Sequence, residues 1–543
     1  MAIRAVAILL LVVVSNHLYP QFLADPNDRI YSYLEFWEQK GYVQTLPTIR
    51  PFPLQLVEQA LLEVMEKGNS SDIALAEQLL KQYDNGVLPL PLRANISEEI
   101  DSRGEYFQST TGIDLNITSR LGANFGLSVG GGMSVDTNTD LSFEPLWLDG
   151  GAANLEYESK RTGQRVFPIG DARLDVYGRV TGSIFFSVED LYLQAGIMRS
   201  SFGPLRESPV LGSQAPQAGH FSATYRQPWM TLSMVFLELV AKRGVKTDGT
   251  VYKLKSKAFE EASYPGKYLI IHSALIHPLQ WLEIGLFQSI LFGRRISPLY
   301  FLPVSLYVQA YVNNWDNAFM GGSLRIDLPF GLRWETLLYV DDLHLSRLLQ
   351  LNFDTNGNKI ALHTGLTWTA PFSIPNWIKA NYSMITPYMY SHSSRQPINY
   401  LQYTHQARSL GSVLEPNSDQ LSIRAYVEPF LLSGIELWFK RIRHGNGSDY
   451  GEGSIDGDGS IYDDGILEDG TLTFLDTSSF LTQPTLEIVT QFGIEVKIHV
   501  PLDPINLALS GGYTIESVEN RGLDPDAPIE THHYFSINLR IGV

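Results

Sequence analysis

The stretch best equipped to hold a charged ligand is "WFKRIRHGNG", residues 438–447. Lys440, Arg441, Arg443 and His444 cluster at what reads as a strand end, and Arg441 and Arg443 share one face of it. Forked guanidinium donors suit the carboxylates of an acidic sugar; a salt-bridge network inside the protein would use the same residues. "YVDDLHLSRLL" sets Asp341 and Asp342 side by side just beyond another strand. A carboxylate pair doing acid–base work needs roughly 5 to 9 Å across a substrate, whereas adjacent ones on a strand end diverge and more readily cap a turn. "SMITPYMYSH" and "NYLQYTHQARSLG" supply Tyr388, Tyr390, Tyr400, Tyr403 and His405. Tyrosines stack on sugar rings and hydrogen-bond at the edge, and they equally populate membrane interfaces.

Other constellations lead nowhere sharp. "DGDGSIYDDGILEDG" (456–470) starts like a calcium loop, but Ile461 stands where the turn needs glycine and Leu467 where it needs glutamate, so a solvated loop is expected. His532 and His533 are neighbours on a strand and point to opposite faces. No HExxH, GxSxG, P-loop or dinucleotide fingerprint occurs, so no catalytic residue, metal or cofactor is expected and the chain is read as a non-enzyme. There are no cysteines, which removes disulfides, thiolate chemistry and a lipoprotein anchor. The net charge of -18 speaks against nucleic acid as a partner.

These residues must be positioned by something, and the periodicity names it. Residues 1–24 hold a basic start at Arg4 and an apolar run from Ala5 to Val14, the pattern of a signal peptide. Residues 25–87 then read as a small bundle of three helices on the periplasmic side. Ile30, Tyr33, Leu34 and Trp37 form the first stripe; Leu54, Val57, Leu61, Leu62 and Met65 the second; Ile73, Ala76, Leu79 and Leu80 the third. Pro53 suits a first turn, Gly41 and Gly68 suit stops, and Ser70 to Asp72 read as a capping cluster.

From about residue 88 to 543 the period changes from 3.6 to 2. The last twelve residues, "HHYFSINLRIGV", alternate His533, Phe535, Ile537, Leu539, Ile541 and Val543 against Tyr534, Ser536, Asn538 and Arg540. "QFGIEVKIHV" and "DQLSIRAYVEP" alternate in the same way. Counting such segments gives about 16 to 18 strands, many longer than the usual 5–6 residues. Tight turns such as "IHPLQW", "LPFGLR" and "VPLDPIN" separate some of them, and long polar connections separate others. An all-β transmembrane barrel with a small N-terminal helical bundle is expected, apolar toward lipid and polar toward a wet lumen. Arg424, Glu495, Lys497, Arg540 and Asp175 would face that lumen, and Trp229, Trp281, Trp334, Trp377 and Trp438 would form interfacial girdles. The expected location is the bacterial outer membrane, with lipid and, during biogenesis, the barrel-assembly machinery as partners. A porin-like channel for small solutes fits this composition as well.

One set of segments goes further. "FGPLRESPVLGSQAP" (202–216), "WDNAFMGGSLRIDLPFGLRWETLLYVDDLHL" (315–345), "YSMITPYMYSH" (382–392), "YTHQARSLGSVLEPNSDQLSI" (403–423) and "FKRIRHGNG" (439–447), in this order, resemble the Wzi-type capsule assembly family. The resemblance implies a helical bundle on an 18-stranded outer-membrane barrel. It also implies a lectin-like role in attaching capsular or other extracellular polysaccharide to the surface. Its motif positions here are Asp341, Asp342, the Tyr403–His405 stretch, Arg441, Arg443 and His444. With Tyr388 and Tyr390 added, these are the candidate glycan contacts.

Overall fold

The computed structural model describes residues 25–83, 92–103, 106–120, 124–137, 165–169, 172–203, 208–242, 245–247, 251–253, 263–303, 316–341, 358–390, 398, 400–406, 408–445, 480–502 and 505–542. Three helices come first: α1 (Arg29–Gln39), α2 (Leu54–Lys67) and α3 (Ser70–Tyr83). Asp28 caps α1 by accepting from the Ile30 amide, and Pro53 and Gly68 bound α2. The α3 cap is Asn69, whose Oδ1 accepts from the Ser71 and Asp72 amides at 3.0 and 2.9 Å, and not the expected Ser70–Asp72 cluster. Asp72 is instead buried between helices, taking Trp37 Nε1 at 3.0 Å and Lys40 Nζ at 3.1 Å. The stripes are rotated slightly from expectation: Leu56, Ala60, Val64 and Leu75 are buried, while Leu62 is exposed.

The rest is sheet. Its strands are β1 (Leu92–Arg103), β2 (Tyr106–Arg120), β3 (Phe125–Thr137), β4 (Ala172–Val188), β5 (Leu191–Met198), β6 (Ala218–Gln227), β7 (Met230–Lys242), β8 (Ser263–Leu279) and β9 (Leu282–Gly293). They continue as β10 (Asn317–Leu328), β11 (Leu332–Val340), β12 (Ile360–Trp368), β13 (Asn376–Ile385), β14 (Ser418–Phe430), β15 (Ser433–His444), β16 (Glu487–Leu502), β17 (Ile505–Glu519) and β18 (Glu530–Gly542). Each pairs antiparallel with the next, and β18 returns to β1 over Asn95↔Gly542 to Asp101↔Ser536, closing the ring. A further strand, Arg165–Ile169, pairs only with the first residues of β4. Where the ring is paired, closure gives the ladder amides and carbonyls partners without water. No helix among the described residues is long and apolar enough to cross a membrane; the strands do so.

Alternation sets the outer wall. On β16, Phe492, Ile494, Val496, Ile498 and Val500 are exposed while Gln491 is buried. On β18, Phe535 and Ile537 are exposed and Tyr534 is buried. Similar exposed rows on β4, β8, β9, β14 and β15 complete an apolar belt far larger than a water-facing surface carries. Trp229, Trp281 and Trp368 mark one border of the belt, beside the tight turns. Trp377 and Trp438 depart from the expected girdle and turn inward. Trp377 stacks on Tyr426 at 4.2 Å, and Trp438 lies flat over Gly493.

The tight connections at residues 189–190, 228–229, 280–281, 329–331 and 431–432 lie at one end of the barrel, and the long connections 199–217, 294–316 and 386–417 lie at the other, together with the two-residue link between β1 and β2. In an outer-membrane barrel the short-turn end faces the periplasm. In the 329–331 turn, Phe330 and Gly331 both have positive φ, and a Cβ on Gly331 would stand 2.2 Å from the Thr369 carbonyl oxygen.

Candidate functional site

The interior decides what such a barrel can do. From the short-turn end α1 enters the mouth, and its sequence explains why it stays. Its apolar residues face α2 and α3, while its polar residues meet the inner wall. Arg29 reaches Glu428 at 2.9 Å and the Leu432 carbonyl at 3.0 Å, and Tyr33 donates to Glu428 at 2.5 Å. Glu35 accepts from Lys379 at 2.8 Å and from Arg50. Glu38 accepts from Arg333 at 2.8 Å, Arg325 at 3.2 Å and the Leu46 amide at 2.7 Å. Gln39 donates to the Gly331 carbonyl at 2.8 Å and accepts from Thr369 at 2.7 Å. Burial would push the Glu38 carboxyl up, but the two guanidiniums and the amide outweigh it and hold it at about 2. Glu35 is likewise held below its ordinary value, because Lys379 and Arg50 outweigh its burial.

Beyond α1 the chain continues into the lumen. Ile49–Arg50 pairs antiparallel with Ser201–Phe202, which belongs to the long connection 199–217. Phe202 packs on Phe287 of β9 at 5.0 Å between ring centres. The described residues of the connection 386–417 fold in beside it. Tyr390 donates to the Pro209 carbonyl at 2.7 Å and Tyr403 to the Val210 carbonyl at 2.6 Å. Tyr339 donates to the Tyr403 oxygen at 3.2 Å and is hydrogen-bonded to Ser289 at 2.6 Å. Lys267 of β8, fully buried, donates to the Gln402 carbonyl at 2.6 Å and to Thr404 at 3.3 Å. Apolar residues facing inward from β7 to β13, among them Val235, Leu237, Leu239, Phe287, Phe319 and Leu337, form one core with these segments. This half of the lumen is packed with apolar side chains, where the sequence led us to expect polar residues facing a wet lumen. Strands such as "MTLSMVFLELVAK" are apolar on both faces because both faces are buried, one in lipid and one in the plug.

The other half of the wall, β14 to β18, keeps polar residues inward. Arg424 pairs with Glu436 at 3.1 Å and Lys497 with Glu495 at 2.9 Å, and Arg540 is exposed. These four of the five charged residues expected inside do face the lumen; the side chain of Asp175 lies outside the described residues. Toward the outer end, Ile442, Val489, Gln491, Glu516, Val518 and Tyr534 are buried, with Gln491 and Tyr534 both donating to Glu516 at 2.5 and 3.0 Å.

The nine candidate contacts do not converge. Tyr388, Tyr390, Tyr403 and His405 are at most 2% exposed, so none offers a ring face to a ligand. Burial pushes the Tyr390 and Tyr403 phenols well up, and they stay neutral donors. His405 is a strut: the Val240 amide donates to Nδ1 at 2.9 Å, so Nε2 carries the proton toward the Gln217 carbonyl at 3.0 Å. Asp341 sits just past β11, its amide bonded to the Lys359 carbonyl at 3.0 Å; Asp342 lies outside the described residues. Arg441 and Arg443 point to the outside of the barrel, whereas His444 points inward to Ser418 at 2.8 Å and Glu415 at 3.5 Å. Residues 1–24 and the 456–470 loop also lie outside the described residues.

Sequence reading missed the residues that close the barrel: Glu35, Glu38, Lys267, Arg325, Arg333 and Lys379. One signal was available. Arg325 and Arg333 occupy inward positions of "GSLRIDLPFGLRWET", and two guanidiniums facing one mouth require acidic partners.

No family model matches the sequence, and no curated protein matches it. Solved structures do. Wzi of Escherichia coli, described as an outer-membrane protein involved in group 1 capsule assembly and a carbohydrate-binding β-barrel, superposes with a TM-score of 0.57 at 11% identity, covering 96% of this chain and 99% of Wzi. OprD of Pseudomonas aeruginosa, an outer-membrane protein, gives 0.43 at 9% identity over 85% of this chain and 96% of its own. Closed ring, apolar belt, N-terminal helices in one mouth and this superposition together make the chain an outer-membrane β-barrel with a Wzi-like fold.

Proposed function

We propose that this barrel serves the attachment or assembly of a surface polysaccharide without catalysing a reaction. The observation that carries the reading is an obstructed interior, packed along β7 to β13 and closed by buried side chains toward the outer end of β14 to β18. A channel for solutes needs a continuous wet path, and here α1 enters from the periplasmic end while residues 199–217 and 386–417 fold in from the other. A plugged barrel is a platform, and its product is a surface held in place at the outer face. Wzi, whose fold the chain shares, is described as carbohydrate-binding, which supports the same class of ligand here.

Buried Tyr388, Tyr390, Tyr403 and His405 would then act indirectly, by fixing the connections whose outer surfaces meet the glycan. Two measurements test this. In a deletion strain, the cell-attached fraction of polysaccharide should fall while the total holds. In a planar bilayer, the purified barrel should show no steady conductance. Unchanged attachment together with steady conductance would replace the proposal with a porin-like channel.

A further inference from the structure

Arg441 and Arg443 have no part in the lumen, and their surroundings suggest another use. Four neighbouring strands carry one outward gradient. Read from the extracellular end, β15 shows Arg443, Arg441, Phe439, Leu437 and Ile435; β14 shows Asp419, Leu421, Ile423, Ala425 and Val427. On the flanks, β16 shows Ile488, Thr490, Phe492, Ile494 and Val496, and β13 shows Met384, Tyr382, Ala380 and Ile378. Phe439 and Phe492 pack at 4.9 Å in the upper part of the apolar belt, which Leu421 carries on to the level of Arg441. Successive outward positions are ~6.6 Å apart along a strand, or about 5 Å along the axis at the usual tilt of about 40°. Arg441 and Arg443 therefore leave the backbone about 5 and 10 Å above this aromatic pair, at the upper rim of the belt where headgroups begin.

Their bonding differs. Arg443 is held against Asp419, Nε to Oδ1 at 2.9 Å with Nη2 on Oδ2, and Tyr382 donates to the same carboxylate at 3.0 Å. Its side chain nevertheless remains 44% exposed. Arg441 is exposed and makes no hydrogen bond or ion pair among the described residues. The cluster thus carries two guanidiniums for one carboxylate, facing outward at the level where lipid headgroups lie. A forked, weakly hydrated guanidinium at that depth selects a phosphate oxyanion.

We infer that Arg441, with Arg443 held in place beside it by Asp419 and Tyr382, forms a phosphate clamp for the headgroup of an outer-leaflet lipid. The clamp fixes the depth and rotation of the barrel, and it requires nothing of the glycan reading. The test titrates the folded barrel in detergent with lipid A bearing its phosphates and with the same lipid dephosphorylated. The phosphorylated form should bind at least tenfold tighter. Arg441→Gln with Arg443→Gln should abolish the difference, and Arg441→Lys should keep part of it, because charge remains while the fork is lost. Heat-modifiable electrophoretic mobility certifies that each variant is folded. Equal binding of the two lipids, or an undiminished difference in the folded double variant, overturns the inference. So does full displacement of the lipid by inorganic phosphate at an equal concentration.

Discussion

Replacing Glu38 by Gln should release α1 from the barrel mouth while leaving the barrel itself intact. Glu38 is 8% exposed and is shared by two guanidiniums and a backbone amide. Its carboxyl sits at about 2 against an ordinary 4.5, although burial by itself would raise it. That gap corresponds to about 3 kcal/mol in favour of the charged form in the folded protein. It matches the roughly 3–5 kcal/mol lost when one partner of a buried ion pair is removed. Arg333 retains Asp327 and Arg325 retains Glu283 at 2.9 Å, which keeps the loss near the lower figure and the strands in register. About 3 kcal/mol is a factor of roughly 100 in a local opening equilibrium. Hydrogen exchange of the α1 amides, residues 29–39, in the folded barrel at pH 7 should therefore quicken about 100-fold in Glu38→Gln, while β10 and β11 stay protected. The pH dependence follows in sign. A carboxyl lowered on folding contributes fully above its free value and loses that contribution as the pH falls through its folded value. Protection of α1 in the native protein should hold down to about pH 4.5 and fade from there toward about 2; in Glu38→Gln this window should flatten. Unchanged α1 exchange in the variant at pH 7, or native protection lost already above pH 5, would refute the reasoning.

Three further changes probe other parts of the same interior. Lys267→Met removes the donor that holds the Gln402 carbonyl and Thr404; gating bursts should appear in bilayer recordings where the native protein is silent. Tyr403→Phe removes hydrogen bonds to the Val210 carbonyl and Tyr339 while keeping the ring; thermal unfolding should register a loss of about 1–2 kcal/mol with no change in barrel mobility on gels. Gly196→Ala places a Cβ 1.9 Å from the Gly182 carbonyl oxygen, a backbone atom of the paired strand β4 that has nowhere to move; the folded, heat-modifiable fraction should fall severalfold.

What the sequence by itself determined is whatever depends on a uniform environment. Lipid presents the same apolar solvent to every strand, so the outward rows of β14, β16 and β18 had to alternate, and the closed all-β architecture could be read from that alternation. The helical head was legible for a similar reason: each helix buries one stripe against its neighbours. Only the tertiary structure decided the inside. Whether an inward position is polar or apolar depends on which distant segment folds against it. Val235, Leu237 and Leu239 meet segments of the connections 199–217 and 386–417, whereas Arg424 pairs with Glu436 and Lys497 with Glu495 on the polar side of the lumen. The same limit applies to the site. Arg441 and Arg443 read as a ligand cluster from their types and spacing, but the register with Leu421 and Asp419 turns them to the outer wall. Glu38 looked like an ordinary helix carboxylate because both its guanidinium partners lie almost three hundred residues away, 287 and 295 positions along the chain. Local periodicity carries no information about pairing at that range; the closing of the ring supplies it.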